Sequence, residues 1–305
     1  MKTAHEAAVE AAAKAGVTIR ELHEIGEFAQ VYRLFDDIWH PDPGNPPMTV
    51  ELMVGFAHAG GYVAGAFEQG TLAGASVGFR ADGTTLHSHV TGASIGRGIG
   101  FALKLHQRAW CLERGLTAIS WTFDPLVRRN ARFNLGKLGA RPVEYLPNFY
   151  GVMGDAINEG DESDRLLALW RLTERPEEPP REPYTVGLGV EGGRPVIGRV
   201  DGPVVLVATP PDIETLRRDD PGAGRAWRLA LREVLGGLMV RGSQVTGFTE
   251  NGEYVVITEW FTGNLRGDPR LQAAEESDPC GAGQGQAIRR QADRRQNAAR
   301  HRTVR

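Results

Sequence analysis

Apolar residues at Ile25, Phe28, Val31, Leu34, Phe35 and Ile38 recur at helical spacing, which predicts an amphipathic helix over residues 25–39. Residues 17–22 just before it alternate and predict a first strand. Pro41, Pro43, Pro46 and Pro47 around Gly44 make a loop. Thr49 then caps a second helix, with Leu52, Met53 and Phe56 facing inward. Three strands follow over residues 62–68, 72–79 and 84–91. Gln69-Gly70 and Ala81-Asp82-Gly83 are the tight turns between them, so the set reads as an antiparallel meander. A helix over 98–114 stops at Gly115, residues 117–123 form a short buried strand, and a helix over 127–138 stops at Gly139. Strand, helix and strand here make one β-loop-α-β unit with parallel strands.

Beyond it the pattern is sparser. Residues 175–183 are rich in Pro and Glu and read as a linker. Residues 196–209 read as strands, Asp212 as a helix cap, and 226–240 as an amphipathic helix. Residues 245–248 and 254–259 pair through Asn251-Gly252. From residue 263 apolar side chains nearly vanish, and a run ending in Arg289, Arg290, Arg294, Arg295, Arg300, Arg302 and Arg305 predicts a disordered, solvated tail. The expected organisation is an N-terminal extension over 1–16, a main domain over 17–174, the linker, an α+β region over 184–262 and the tail over 263–305.

Composition changes the picture only by exclusion. The chain has 305 residues, 41% hydrophobic and 24% charged, as in ordinary globular proteins. A net charge of −3 argues against a nucleic-acid partner. No apolar run has a membrane span's length, and residues 1–16 lack the apolar core of a secretion signal. Cys111 and Cys280 do not suggest a disulfide framework, so a cytoplasmic setting is expected, with Cys111 a small buried hydrophobe. A homodimer is compatible with all of this.

The candidate chemistry centres on residues 86–104, a strand, a glycine-rich loop and the start of a helix. Gly96, Gly98 and Gly100 leave backbone N–H groups bare, and the helix behind them aims its positive end at the same place. That combination suits a phosphate or pyrophosphate. No Gly-Lys-Ser/Thr follows, and a glycine run alone also suits a turn without a ligand.

The wider motifs are more specific. His87-Ser88-His89-Val90-Thr91-Gly92 precedes the glycines, and Trp121-Thr122-Phe123-Asp124-Pro125-Leu126 follows the next helix. Arg128-Arg129-Asn130-Ala131, Asn148-Phe149-Tyr150-Gly151 and Gly160-Asp161-Glu162-Ser163-Asp164-Arg165 come after them in order. With these, residues 17–170 resemble the GNAT superfamily of acyl-CoA-dependent N-acyltransferases. The resemblance implies an α/β fold with a mixed, mostly antiparallel central sheet flanked by helices, followed here by a smaller α+β part. It also implies transfer of an acyl group, most often acetyl, from acetyl-CoA or another acyl-CoA to the amine of a small molecule such as an amino acid, by direct attack.

Carried onto this sequence, the resemblance lays the pantetheine arm along residues 89–93, with backbone N–H groups near Val90, Thr91 and Gly92. The pyrophosphate falls to the amides of Gly96, Arg97, Gly98, Ile99 and Gly100, with the Arg97 guanidinium adding a charged contact. Asn130 matches an asparagine that reaches the arm. His87 and His89 stand two apart on one strand face and are the candidate bases, where the superfamily more often has glutamate. The tyrosine that many relatives use as the acid falls at Leu135, which leaves Tyr145 and Tyr150. Asp124, after a strand end, is a candidate for holding the acceptor ammonium, with helix capping as its rival role. Asp161, Glu162, Asp164 and Arg165 read by default as solvated charge. No metal site is expected.

The signature's first position is Ile95, and the connection from strand to glycines is shorter than in relatives, which bears on how strand and helix register. A non-catalytic acyl-CoA-binding or interaction protein that keeps the fold is the alternative. A nucleotide-binding protein of another fold is disfavoured by the meander that precedes the glycine loop.

Overall fold

The computed structural model describes residues 2–41, 46–94, 96–151, 161–174 and 183–258, which belong to one compact unit, Met1–Thr258. Ile95, Gly160, most of the expected linker, Cys280 and the arginine-rich tail lie outside the described residues.

Seven strands form the first sheet: β1 (Thr18–Glu21), β2 (Tyr62–Glu68), β3 (Thr71–Arg80), β4 (Thr85–Ala93), β5 (Ala118–Phe123), β6 (Arg141–Leu146) and β7 (Arg165–Arg171). Their order is β1-β2-β3-β4-β5-β7-β6, and only β4 and β5 are parallel neighbours. The fold class expected above, a mixed and mostly antiparallel sheet with helices on its faces, is the one observed. On one face lie α2 (Ile25–Trp39) and α3 (Val50–His58), which bury Phe28, Val31, Phe35 and Met53 against Val63, Ala75 and Val77. On the other, α1 (Ala4–Lys14) and α4 (Ile99–Glu113) pack small residues closely, with Ala11 and Ala15 near Ile99, Ala102 and Leu103. Thr49 caps α3 through the Leu52 N–H as expected. Leu52 itself is 51% exposed, because the short helix turns only the Met53 and Phe56 side of its surface to the core.

Strand pairing positions everything that follows. β4 and β5 share three rungs only: Thr85 with Ala118, Leu86 with Ile119 and His87 with Ser120. Beyond them β4 continues along β3 to Ala93, and β5 continues along β7 to Phe123, so the two strands part. A bulge lies at the point of parting, where Val77 pairs with Val90 and Gly78 with Ser88, leaving His89 as the extra residue. A bulge bends a strand and resets which face its side chains take. Ser88 and Thr91 therefore both reach the α4 side, while Val90 and Gly92 face α2.

After β5, α5 (Arg128–Ala131) runs on as a π-helical segment, Arg132–Lys137, to Gly139 at φ +75°. The later part adds β8 (Thr185–Glu191), β9 (Arg194–Ile197), β10 (Val204–Ala208), β11 (Gln244–Phe248) and β12 (Glu253–Ile257), in sheet order β11-β12-β10-β8-β9. Its helices are α6 (Ile213–Asp219), capped by Asp212, and α7 (Pro221–Leu231), which continues through Arg232–Gly236 into α8 (Gly237–Val240). Trp227, Leu231 and Leu235 join Trp121, Tyr145 and Leu166 in one apolar core. The second sheet is therefore packed onto the first rather than carried beside it.

Candidate functional site

The parted strands and the N-terminus of α4 enclose a groove of about 510 Å³. Its walls come from four pieces of chain: Ser88, His89, Thr91 and Ala93 of β4, Gly96, Gly98 and Gly100 of the loop, Trp121, Thr122 and Phe123 of β5, and Arg129, Asn130, Phe133 and Lys137 of the following helix. Gly96 and Gly98 hold φ of +85° and +78°, a left-handed conformation that side chains with Cβ disfavour. A Cβ on Gly96 or Gly100 would meet nothing within 4 Å, so their bareness opens space instead of serving packing. The N-cap of α4 is Gly98, and among the described residues no side chain caps the helix. Its first amides and the helix's positive end face the groove from the loop, and Lys137 adds charge to the wall, while the Arg129 guanidinium on that wall is paired with both oxygens of Glu214. A pyrophosphate with a flexible arm laid along unpaired strand backbone fits this donor set.

His89 lines the groove. Its Nε2 is 3.3 Å from the Pro47 carbonyl, which can only accept, so Nε2 carries hydrogen and Nδ1 keeps the lone pair of the neutral ring. Burial lowers the ring's pKa against the opposing pull of the Pro47 carbonyl. His87 does not line the groove. Its Nδ1 meets Ser120 Oγ at 3.2 Å and its ring leans on Phe79. Burial first, then the charges of His89 and Lys104, push its pKa down to about 4. The ring centroids of the two histidines are 6.4 Å apart on one face, as the spacing implies.

Two further candidates, Asp124 and Arg97, stand elsewhere than expected. Asp124 is 7% exposed and does not line the groove. Arg228 binds both of its oxygens, at 3.0 and 2.9 Å, and Arg217 adds a contact of 2.7 Å. Burial would raise this carboxyl; Arg228 and Arg217 outweigh it and hold the group far below the usual range. It has no oxygen to spare for an acceptor ammonium, and its other bond, from the Leu126 N–H at 2.9 Å, shapes the turn before α5. Gly92 is bare for packing: a Cβ there would lie 2.7 Å from the Trp39 ring. Val90 and Ile99 turn their side chains into cores, which leaves only backbone for a ligand. The Arg97 guanidinium is taken by both oxygens of Glu68, one at 2.7 Å, and stays outside the groove wall.

The acidic motif is also corrected. Asp164 is fully buried and Arg165 nearly so, because Arg232 clamps Asp164 at 2.9 and 2.5 Å and Tyr145 donates to it at 2.7 Å. That bond commits Tyr145 to the core. Asp161 joins Arg228 and Arg217 at 3.2 Å. Tyr150 is 48% exposed and its hydroxyl meets Thr122 Oγ1, on the groove wall, at 3.0 Å. Asn130 lines the groove as expected, and Leu135 is buried.

Lys104 was not singled out by motif. It lines the groove at 5% exposure, its Nζ 2.7 Å from Ser88 Oγ, 3.2 Å from Gln107 Oε1 and 4.2 Å over the Trp121 ring. Its signal was present: Lys104 and Gln107 sit on the α4 stripe that Leu103, Trp110 and Cys111 otherwise keep apolar. Among the described residues no group of His, Cys, Asp or Glu is arranged to hold a metal ion, and no helix is long and apolar enough to cross a membrane.

No protein-family model and no curated protein matches the sequence. Among solved structures, the chain is similar to the ribosomal-protein-S18-alanine N-acetyltransferase of Escherichia coli, at 14% identity and TM-score 0.43, over 52% of this chain and 96% of that one. A Salmonella typhimurium protein solved with its cofactor acetyl-CoA is similar at 16% identity and TM-score 0.42, over 52% of this chain and 96% of that one. The aminoglycoside 6'-N-acetyltransferase of Enterococcus faecium is similar at 17% identity and TM-score 0.40, over 52% and 99%. At these values the reading of the site rests on this chain's own residues.

Proposed function

We propose that this protein moves an acyl group from a CoA thioester, acetyl-CoA in the simplest case, to the amine of a small molecule. The carrying observation is the parting of β4 and β5 beside an uncapped, glycine-fronted helix. Three of the motifs that resemble the acyltransferase superfamily, residues 87–92, 121–126 and 128–131, fall on segments that line this groove, while residues 148–151 and 161–165 lie away from its lining. In this reading the amides at Gly96, Gly98 and Gly100 hold the pyrophosphate. The β4 backbone past His87, which β5 does not pair, receives the pantetheine arm. Asn130 and Lys137 border that arm from the facing helix.

Attack on the thioester carbonyl needs a neutral amine and a proton acceptor. His89 suits that role, because its lowered pKa keeps the ring neutral at pH 7 and its Nδ1 is the acceptor. Tyr150, tied to the wall through Thr122, is the remaining candidate to return a proton to the thiolate.

Calorimetric titration with acetyl-CoA and CoA tests the reading. Micromolar binding is expected in the native chain. Gly98→Val, which forces a β-branched residue to φ +78°, should abolish it. No binding at millimolar ligand would overturn the assignment. His89→Ala should slow amine acylation by roughly 10²–10⁴-fold with CoA affinity kept. Binding without turnover on any amine would point to an acyl-CoA-binding protein that has kept the groove and lost the chemistry.

A further inference from the structure

Two buried groups of the groove lining are left over by amine transfer. The Ser88 hydroxyl and the Lys104 amine lie 2.7 Å apart, both side chains are almost completely buried, and both line the groove. They meet because Ser88 stands just past the last rung that β4 shares with β5 and, two residues after Leu86, keeps that residue's face of the sheet, toward α4. Lys104 is held in place by Gln107 and by the Trp121 ring. Gln107 in turn donates to Ser76 at 3.3 Å, and Ser76 meets Thr91 at 2.8 Å. The amine is therefore positioned by a network that spans α4, β3 and β4.

Among the described residues no carboxylate pairs with Lys104. Burial without a counter-charge brings its pKa down to about 7. A free amine is then within reach at neutral pH, and a free amine at hydrogen-bond distance is a base for the hydroxyl.

We propose that Ser88 and Lys104 form a nucleophile–base pair that takes an acyl group onto the protein, which gives the groove a thioester- and ester-hydrolysing activity beside amine transfer. Serine–lysine pairs are an established variant of this chemistry on other folds. For a thioester donor, the proposal rests on the acyl-CoA reading of the groove. The Ser88 oxygen forms a bond to the carbonyl carbon as its proton passes to Lys104 Nζ. The C–S bond breaks, and the ammonium returns that proton to the leaving thiolate. Water then attacks the acyl-serine, giving a proton to Nζ. The C–O bond to Ser88 breaks and Nζ hands the proton back to the serine oxygen, which releases the carboxylic acid.

The test uses the full chain and two donors, p-nitrophenyl acetate and acetyl-CoA, with no amine present. The ester should give a burst of p-nitrophenolate approaching one per chain, and peptide mapping should place one acetyl group on Ser88. The burst rate should rise with pH through about 7, following the free amine of Lys104. Ser88→Ala should remove burst and adduct, Ser88→Cys should retain an adduct, and Lys104→Met should slow the burst by roughly 10²-fold or more. An acetyl group on Lys104, a burst that survives Ser88→Ala, or no adduct from either donor would overturn the pair. Ser88 acetylated by the ester in a chain that does not bind CoA keeps the pair and removes the CoA reading. CoA binding with no adduct from either donor does the reverse.

Discussion

Lys104 and Arg228 are both basic, both almost fully buried and both fixed on helices, yet their surroundings are opposite. Arg228 meets Asp124 through two bonds and Asp161 through two more, and Arg217 and Arg232 extend the cluster to Asp164 and Glu162. Every charge there has a counter-charge, and the pairs cross from α6 and α7 to the segment after β5 and the segment before β7. Lys104 has a serine, an amide and an aromatic face. The pKa directions record the difference: Asp124 and Asp161 raise the pKa of Arg228 against its burial, while burial alone dominates Lys104 and lowers it. A buried charge with matched partners fastens two parts of a fold together. A buried charge held by neutral groups costs stability and leaves a proton free to move, and the chemistry proposed for the groove rests on that contrast with the arginine seam.

The largest effect should follow from breaking the seam. Arg228→Met leaves Asp124 buried without its two-bond partner, though with Arg217 still bonded and Arg165 near, and should cost about 3–5 kcal/mol in urea unfolding. A cost below about 1 kcal/mol would mean the cluster is not holding the second sheet in place. The acid side follows from the same pairing. Asp124 has a folded pKa below its unfolded one, so its contribution is complete above the unfolded value near 4. It should be lost progressively as pH falls below that point. The acid limb of a Tm-against-pH curve should be steeper in the native chain than in Asp124→Asn.

Removing both partners should cost less than the sum. In Asp124→Leu with Arg228→Met, no charge of that pair is left behind, and Arg217 keeps Asp161. The double variant should recover about 1–3 kcal/mol relative to additivity. Strict additivity would say that the two side chains stabilise the fold independently, against the two bonds of 3.0 and 2.9 Å between them.

These contrasts show where the chain could be read in advance. The meander, α2, α4 and β5 were legible because each element's apolar period matches the face it buries, and Gly115 and Gly139 end their helices with positive φ. The glycine loop was legible as a strand-turn-helix unit because that pattern is local, and Asn130 lines the same groove from α5. Asp124 was misread because its partners are 93 and 104 residues away, beyond any local pattern. A separation of 68 residues likewise hid the burial of Asp164, whose clamp Arg232 comes from the helix after α7. The bulge at His89 could not be seen either, because it depends on how β3 registers against β4. The residue it moves is Thr91, which strict alternation would place on the face of His87 and His89 and which instead joins Ser76 and Gln107 on the α4 side.

The smallest effect should carry the opposite sign. Lys104→Met keeps the length and apolar stem of the side chain and removes the charge. Its cost to the fold is set by proton binding. Unfolded, Lys104 holds its proton up to the ordinary lysine range near 10.5; folded, it releases it at about 7. Between those values the unfolded chain binds more protons, so the native protein gains stability as pH rises across the window, and the full penalty applies below pH 7. Lys104→Met should therefore stabilise by about 1 kcal/mol at pH 6, the bonds lost to Ser88 and Gln107 offsetting part of the relief. The gain should shrink steadily toward pH 10. Urea unfolding of the two chains at pH 6, 8 and 10 checks it, and a constant or negative difference would mean that Lys104 is as well compensated as Arg228. If the gain appears together with a lost burst on p-nitrophenyl acetate, the same residue weakens the fold and drives the chemistry, which is the trade expected of a functional site.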